Sequence, residues 1–198
     1  MSQIIISIGR EFGSGGRAIA EKLAEKFDIP LYDRHLITEI AEKTGMTEAE
    51  VEKYNEAPKM KIISRRVNGY SNSIEDNIAE MQFDILDKKA QSGESFVVIG
   101  RCSETKLKKY PALISLFILG DMDKKIERVM KIYELDEEEA TKFIAKKDKK
   151  RKRYHNYHCQ GKWGDSRLYD LSVNSSKLGI DKTADMLESY IRARIEAE

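Results

Sequence analysis

The sequence predicts an α/β fold built on a parallel β-sheet with helices on both faces. Short apolar runs rich in β-branched residues alternate along the chain with longer amphipathic stretches of helical period. This alternation is typical of parallel sheets, because the helices that connect the strands cover both faces. A glycine-rich turn between the first run and the first helix is the third sign. The predicted strands are Ile4–Ile8, Pro30–Asp33, Phe96–Ile99, Leu113–Leu119 and Tyr169–Val173.

The helices between these strands are predicted from their end signals. Thr47–Glu50 forms a capping box that opens a helix, and Gly45 closes the helix before it. Acidic residues from Asp136 occupy a first helical turn, where the helix dipole favours them. The predicted helices are Ala18–Phe27, Leu36–Lys43, one from Thr47, Ile74–Gln91, Met122–Tyr133, one from Asp136 into the basic stretch Lys146–Tyr154, and one from Asp181.

Two segments are longer or more polar than the connections of a simple sheet. Residues 38–91 separate the second strand from the third and predict a helical insertion over the sheet edge. Residues 146–167 contain few apolar side chains and many cations, which predicts a lid.

The composition favours one soluble domain. The chain has 198 residues, with 35 Lys and Arg against 34 Asp and Glu, so net charge gives no argument for nucleic acid or a membrane. No apolar run approaches the roughly 20 residues of a membrane span, and no leader pattern precedes the first strand. Two cysteines are too few for a disulfide framework, so we expect reduced thiols and a cytoplasmic location.

The glycine-rich turn predicts a phosphate-binding loop. Gly9 to Arg17 read G-R-E-F-G-S-G-G-R, between a strand and a helix. Such glycines let several backbone N–H groups point at one anion, and the helix adds its positive N-terminal end. The predicted phosphate-binding residues are Gly13, Ser14, Gly15, Gly16 and Arg17. The alternative is a turn that serves packing alone.

This loop departs from the standard phosphate-binding motif. The motif ends G-K-[S/T], whereas the chain has Gly15, Gly16 and Arg17 at these positions. Arg17 is the nearest cation able to replace the lysine. A cation at a helix N-terminus is unfavourable unless an anion is bound there, which favours a functional role over a surface role.

Four segments of the chain carry a family resemblance. They are G-R-E-F-G-S-G-G-R-A-I-A from Gly9, P-L-Y-D-R-H-L-I (Pro30–Ile37), V-V-I-G-R-C (Val97–Cys102) and W-G-D-S-R-L-Y-D-L-S-V-N (Trp163–Asn174). In this order they resemble the cytidylate kinase-like family, P-loop proteins related to nucleoside monophosphate kinases. The resemblance covers nearly the whole chain. It implies a three-layer α/β/α P-loop NTPase fold with a five-stranded parallel sheet, an acceptor-binding insertion at 38–91 and a lid at 146–167.

The resemblance also implies roles for single residues. Arg101 matches an arginine that contacts the acceptor nucleotide, and Asp33 matches an aspartate that holds it, with Arg34 beside it. Arg101 also follows a strand at its carboxyl end, where open α/β sheets bind ligands. The alternatives are a salt bridge for Arg101 and a helix N-cap for Asp33.

The basic stretch supplies the lid residues that the resemblance implies. Lys147, Asp148, Arg151 and Arg153 lie at places similar to those of the family's lid stretch, which reaches over the donor phosphates. A solvated helix face and a nucleic-acid patch are the alternatives. The absence of an RNA-binding motif makes a nucleic-acid partner the weaker of the two.

Histidines and cysteines near the end of the lid predict no metal site. His155, His158 and Cys159 form H-x-x-H-C, which lacks a fourth ligand at a known zinc spacing. They are interpreted as surface side chains of the lid, and Cys102 as a packing residue. Trp163 either stacks on a base or anchors the lid's return to the core.

The sequence therefore predicts a phosphotransferase. It would move the terminal phosphoryl group of ATP to a small acceptor such as CMP, with Arg17, Arg101, Lys147 and Arg151 as catalytic cations. Mg²⁺ is expected with the donor, and Ser14 is the candidate ligand for it. The alternative is a non-catalytic nucleotide-binding or regulatory protein that has lost the loop lysine.

Overall fold

The computed structural model describes residues 3–54, 66–67, 70–71 and 73–197, and the side chains of 34, 35, 66, 67, 70 and 71 lie outside this description. The strands are β1 (Ile5–Arg10), β2 (Leu31–Tyr32), β3 (Arg66–Val67), β4 (Tyr70–Ser71), β5 (Phe96–Ile99), β6 (Leu113–Leu119) and β7 (Leu171–Asn174). The helices are α1 (Gly16–Phe27), α2 (Arg34–Thr44), α3 (Glu48–Tyr54), α4 (Ile74–Gln91), α5 (Ser103–Lys106), α6 (Met122–Tyr133), α7 (Glu137–His158) and α8 (Gly179–Glu196). A 3₁₀ turn covers Ser166–Leu168.

The central sheet confirms the predicted five parallel strands. Its order is β2-β5-β1-β6-β7, with all neighbours parallel. In the middle of the sheet, Ile6 on β1 pairs with Val97 on one side and with Ile114 on the other. The carboxyl ends of β1 and β5 therefore lie side by side, and the loops that follow them are neighbours.

The apolar alternation of the strands explains the three layers. Ile6 and Ile8 share a buried cluster with side chains of α1 and α8 on one face of the sheet. Ile5 and Phe96 share another with α2, α3 and α4 on the opposite face. Both faces are thus buried, as the sequence predicts for a parallel sheet.

Where the structure describes residues 38–91, they form three helices and one short ribbon. α2, α3 and α4 pack into one core cluster with the sheet. β3 and β4 form a two-stranded antiparallel ribbon that the sequence analysis did not predict. Residues 55–65, 68–69 and 72 of the predicted insertion lie outside the described residues.

α7 is one continuous helix that includes the first half of the predicted lid. It opens with a capping box, in which Asp136 accepts the backbone N–H of Glu139 and the Glu139 side chain accepts that of Asp136. Its last turns pack against α4, where Phe83 lies in a buried cluster with Tyr154 and Cys159.

The interpretation of His155 and Cys159 as surface side chains is wrong, because this packing leaves them only 5% and 8% exposed. Their burial follows from the turn after β5, which approaches the end of α7. None of the helices within the described residues is long and apolar enough to cross a membrane.

Candidate active site

The loop after β1 has the geometry of an anion-binding nest. Gly13 and Gly15 both have φ of +81°, a left-handed conformation that glycine adopts without strain. Within the described part of the chain, the N–H groups of Gly13 and Gly15 have no hydrogen-bond acceptor. The nest also lies at the N-terminus of α1, so it favours an anion.

Ser14 supports the loop from inside. It is fully buried, and its hydroxyl donates to the Glu11 carbonyl at 2.9 Å and accepts the Gly16 N–H at 3.4 Å. Its own carbonyl accepts the buried Ser175 hydroxyl. The hydroxyl is therefore engaged in shaping the loop, and its geometry does not support the expected role as a Mg²⁺ ligand.

A cavity of about 390 Å³ opens over this loop. It is rich in arginine and also carries three carboxylates and an apolar side. The charged lining residues are Arg10, Glu11, Arg17, Glu21, Asp33, Arg128 and Arg151. The apolar side includes Phe12, Ile99, Val129, Ile132, Tyr133 and Ile180.

Asp33 lies between the two arginines predicted for donor and acceptor. Its carboxylate is 3.2 Å from Arg17 Nη1 and 3.8 Å from Arg101 Nη2. Asp33 occupies the N-cap position of α2, yet its side chain makes no capping hydrogen bond. The carboxylate thus orients cations instead of closing the helix. The side chain of Arg34 lies outside the described residues.

Arg17 is the most exposed of the cavity arginines. Its side chain is 55% exposed, and its Nε lies 2.9 Å from Glu21 on the next turn of α1. That hydrogen bond is the main reason why the pKa of Arg17 is raised, although partial burial opposes it. Arg17 therefore stays charged and is held at the rim by carboxylates.

The turn after β5 is strained where it presents Arg101. Gly100, Arg101 and Cys102 all have positive φ, at 69°, 60° and 55°. Two consecutive non-glycine residues in this region cost energy, and such strain is concentrated at functional sites. The Arg101 side chain is 2% exposed, and its Nε and Nη1 have no hydrogen-bond partner among the described residues. A buried guanidinium with open donors is suited to an anionic ligand.

Arg10 was missed by the sequence analysis and connects the two loops. Its side chain packs closely on both Gly16 and Gly100. A Cβ atom added to Gly16 would lie 2.7 Å from Arg10 Cβ, and one added to Gly100 would lie 2.2 Å from Arg10 Nη1. Arg10 lines both the large cavity and a smaller one, of about 20 Å³, that Arg101 lines. The signal was available, because Arg10 is the first charged residue after the apolar part of β1.

α6 supplies two further cations that the sequence analysis missed. Arg128 donates to the carbonyl of Gly13. Lys125 is 3% exposed and lies 3.0 Å from Glu11 Oε2 and 3.4 Å from Asp148 Oδ2. Nothing local marks them, since both lie in an ordinary amphipathic helix and reach the loop only through the packing of α6.

The predicted lid residues on α7 contact the loop after β1 in different ways. Asp148 accepts the backbone N–H of Phe12 at 2.6 Å, and burial raises the pKa of its carboxyl. Arg151 Nη1 lies 3.4 Å from the Arg10 carbonyl and lines the cavity. Lys147 lies over the rings of Phe12 and Phe143, 5.9 Å and 5.0 Å from their centroids.

Arg153 is placed differently. It is exposed and is not among the residues that line the cavity. Trp163 packs edge-on against Phe117 at 5.5 Å, as expected for an anchor of the chain's return to the core.

A second polar cluster lies directly behind Arg101. His155 Nε2 is 2.8 Å from Glu104 Oε1, and Cys159 Sγ is 3.9 Å from the same oxygen. Burial lowers the pKa of His155, but hydrogen bonds with Cys159 and Glu104 outweigh it and raise the pKa to about 10. A hydrogen bond with Cys102, helped by His155, lowers the pKa of Cys159 to about 6.

Comparison with known proteins identifies the family. The sequence model of the cytidylate kinase-like family matches residues 5–177. The chain belongs to this family. A protein named cytidylate kinase from Methanopyrus kandleri is 29% identical, over 98% of this chain and 96% of its own length.

Solved structures agree with the fold. An uncharacterized protein from Eubacterium ventriosum is 42% identical, has a TM-score of 0.76, and covers 96% of this chain and 99% of its own. Shikimate kinase from Bacteroides thetaiotaomicron has a TM-score of 0.56 at 14% identity, and covers 96% of this chain and 98% of its own. This cytidylate kinase-like chain therefore shares the three-layer fold of P-loop kinases, as the sequence predicts.

Proposed function

We propose that this protein transfers the terminal phosphoryl group of ATP to a nucleoside monophosphate such as CMP. The observation that carries the proposal is the buried guanidinium of Arg101, with two open donor nitrogens, together with the left-handed glycines of the loop after the neighbouring strand β1. The loop is suited to the phosphates of a donor, and Arg101 is suited to the phosphate of an acceptor. The name of the Methanopyrus kandleri relative supports CMP as the acceptor.

The donor phosphates are proposed to bind at the nest of residues 13–17. The open N–H groups there bind an anion without needing the absent lysine. Arg17, Arg128 and Arg151 approach the same cavity from three helices. Phosphoryl transfer requires mainly positioning and positive charge around the transferred group, which these arginines supply.

Mg²⁺ is proposed to enter as part of the substrate MgATP. Protein-bound Mg²⁺ commonly keeps several waters and is held by substrate phosphates and one or two carboxylates. The cavity carboxylates Glu11, Glu21 and Asp33 are each ion-paired with a cation of this chain. The described residues thus form no dedicated Mg²⁺ cage.

The acceptor phosphate is proposed to bind Arg101, with Asp33 orienting that arginine. One acceptor phosphate oxygen then attacks the γ-phosphorus of ATP. A new P–O bond forms, the bond to the β-phosphate oxygen breaks, and ADP leaves. Arg10 lies between the two loops and stabilises charge on both sides of the transferred group.

An apolar part of the cavity is the proposed place for the donor base. Ile132 and Tyr133 are 63% and 47% exposed and lie side by side in the cavity lining, and contiguous exposed apolar side chains are typical of binding surfaces. Ile180 lines the same cavity. A purine ring that covers these side chains would remove their apolar surface from water.

Initial rates with the donor and the acceptor varied separately test the proposal. Nucleoside monophosphates and other small acceptors are offered with MgATP to the wild type and to Arg101→Lys. We expect CMP to be phosphorylated, and Arg101→Lys to raise the KM for CMP by about tenfold or more, because a charge-assisted hydrogen bond is worth about 1.5–3 kcal/mol. Lys22→Ala, which removes a cation of α1 outside the cavity, is the matched control and should leave the KM unchanged.

The alternative function, a nucleotide-binding protein without activity, is favoured by one observation. Arg17 is paired with Glu21 and Asp33 instead of lying over the nest. If the wild type binds ATP, loses that binding in Arg17→Ala and phosphorylates no acceptor, this alternative is correct.

A further inference from the structure

The cluster behind Arg101 joins two separate parts of the chain. Glu104 lies in α5, three residues after Arg101, whereas His155 lies in the last turn of α7 and Cys159 directly follows that helix. One ligand-capable atom from each of Glu104, His155 and Cys159 lies within 4.8 Å of the other two. All three residues are buried, with exposures of 5%, 5% and 8%.

The separations are close to those of a zinc site. Zinc bonds of about 2.0–2.3 Å in a tetrahedron place ligand atoms about 3.3–3.8 Å apart. The distance from Cys159 Sγ to Glu104 Oε1 is 3.9 Å, and that from His155 Nε2 to the same oxygen is 2.8 Å. Binding of an ion would require the distance between His155 Nε2 and Glu104 Oε1 to increase by about half an ångström, which a rotation of the carboxylate achieves.

Cys102, in the same turn as Glu104, is the candidate for a fourth ligand. Its side chain is 3% exposed, and because its sulfur is not within 4.8 Å of all three other ligand atoms, it would have to move toward them to join an ion. The spacing H-x-x-H-C lacked a fourth ligand in the sequence. The turn after β5 supplies Cys102 and Glu104, about fifty residues away along the chain.

The ring of His155 is oriented for metal binding. Its Nδ1 lies 3.4 Å from Asn156 Oδ1, and this oxygen also accepts the Trp163 backbone N–H at 2.8 Å. A hydrogen bond from Nδ1 to Asn156 leaves Nε2 as the atom that faces Glu104. Metal-binding histidines commonly make such a hydrogen bond through their second nitrogen.

We propose that Glu104, His155 and Cys159, completed by Cys102, bind one zinc-type divalent ion. Thiolates and imidazole select zinc over Mg²⁺ or Ca²⁺, which prefer oxygen ligands. Four buried protein ligands leave no position for substrate, so the site is structural. The proposal does not depend on the transfer reaction.

The ion would fix the geometry of the neighbouring active site. It ties the strained turn that carries Arg101 to α7, at a position one helical turn after Arg151. A salt bridge between His155 and Glu104 explains the 2.8 Å contact by itself. It does not explain why the buried thiol of Cys159 faces the same carboxylate oxygen.

Cobalt substitution tests the site directly. The full chain is kept reduced with a phosphine, stripped of metal with a chelator and titrated with Co²⁺. Cys102 and Cys159 are the only cysteines of the chain, so thiolate-to-cobalt absorption can arise only from them. We expect this absorption and tetrahedral visible bands to saturate at one ion per chain, and Zn²⁺ to displace the cobalt.

Variants identify the ligands. Cys159→Ser and His155→Gln should abolish the tetrahedral bands, and Cys102→Ser should reduce the thiolate absorption to roughly half. His158→Gln is the matched control, since His158 packs on the rings of Phe83 and Tyr157, and should keep the full spectrum. Circular dichroism checks that each variant is folded. Folded, reduced wild type that gives no thiolate-to-cobalt absorption would overturn the proposal without reference to any variant, as would full bands in Cys159→Ser.

Discussion

At the scale of single residues, the site depends on arginines held by a shared carboxylate. Asp33 contacts Arg17 on one side and Arg101 on the other, so the cations proposed to bind donor and acceptor are fixed relative to each other. Arg101 is buried and lacks partners for two nitrogens, whereas Arg17 is exposed and already paired. The two arginines should therefore respond differently to substitution.

Substitution of Arg17 tests whether it replaces the missing loop lysine. Arg17→Ala should lower kcat by about 10²–10³-fold, because a contact that strengthens as charge develops acts on the transition state. Arg17→Lys should recover part of this loss, since it restores a charge but not the fork of donors. The measurement is kcat at saturating ATP and CMP. If kcat is unchanged in Arg17→Ala while transfer persists, the replacement role is refuted.

Gly100 tests the close approach of Arg10. Gly100→Ala should cost about 1–2 kcal/mol of unfolding free energy for its left-handed backbone, and should also lower the transfer rate by displacing the Arg10 guanidinium. Gly45→Ala is the matched control, because Gly45 has φ of +71° with nothing within 4 Å of an added Cβ. We expect similar losses of stability in urea unfolding, but a loss of activity only at Gly100. Equal activity in the two variants would show that Arg10 does not need its present position.

At the scale of elements, α7 connects the loop after β1 with the turn after β5, which are the proposed donor and acceptor elements. Asp148 binds the backbone of Phe12 after β1, and His155 binds Glu104 after β5. The helix thus spans both loops with one face, at positions 148, 151 and 155. Its start is fixed by the capping box at Asp136 and Glu139.

The capping box should contribute measurably to stability. Asp136→Ala should lower the unfolding free energy by about 1 kcal/mol, the usual cost of losing an N-cap. Lys142→Ala removes only an exposed pair with Glu138 on the same helix and should change stability little. Chemical unfolding of both variants makes the comparison. A loss at Asp136 no larger than that at Lys142 would contradict the role of the cap.

The sequence predicted elements well where local signals were strong. α4 and α6 have the predicted bounds, with α4 ending before Gly93 as expected, and the five apolar runs are the five strands. The sequence analysis failed where contacts between distant segments of the chain determine the burial or the role of a residue. The burial of His155 and Cys159 requires the turn after β5, and the roles of Lys125 and Arg128 require α6 to pack on the loop. The ribbon of β3 and β4 is too short for a periodic signal.

At the scale of the whole molecule, the loops after β1 and β5 meet at one edge of the sheet and α7 crosses them. This arrangement places the proposed donor and acceptor elements on strands that are direct neighbours in the core. α8 packs on the face of the sheet with α1, and apart from Ile180 at its start its residues lie outside the cavity. Ligands should therefore affect α7 more than the body of α8.

Hydrogen exchange tests this expectation for the lid. With MgATP and CMP, residues 146–167 should exchange more slowly, because the bound phosphates give Arg151 and its neighbours new partners. Backbone amides in the second half of α8 serve as the internal control and should not change. Unchanged exchange across 146–167 at saturating nucleotide would contradict the lid prediction and support the alternative of a solvated helix face.

The central claim is that a P-loop without its lysine still transfers phosphate to a nucleoside monophosphate. Phosphorus NMR of wild-type protein with MgATP and CMP follows donor and acceptor in one sample. The account predicts that ADP and CDP appear in equal amounts and that inorganic phosphate does not accumulate. ATP and CMP that remain unchanged, or ATP hydrolysed while CMP persists, would contradict it.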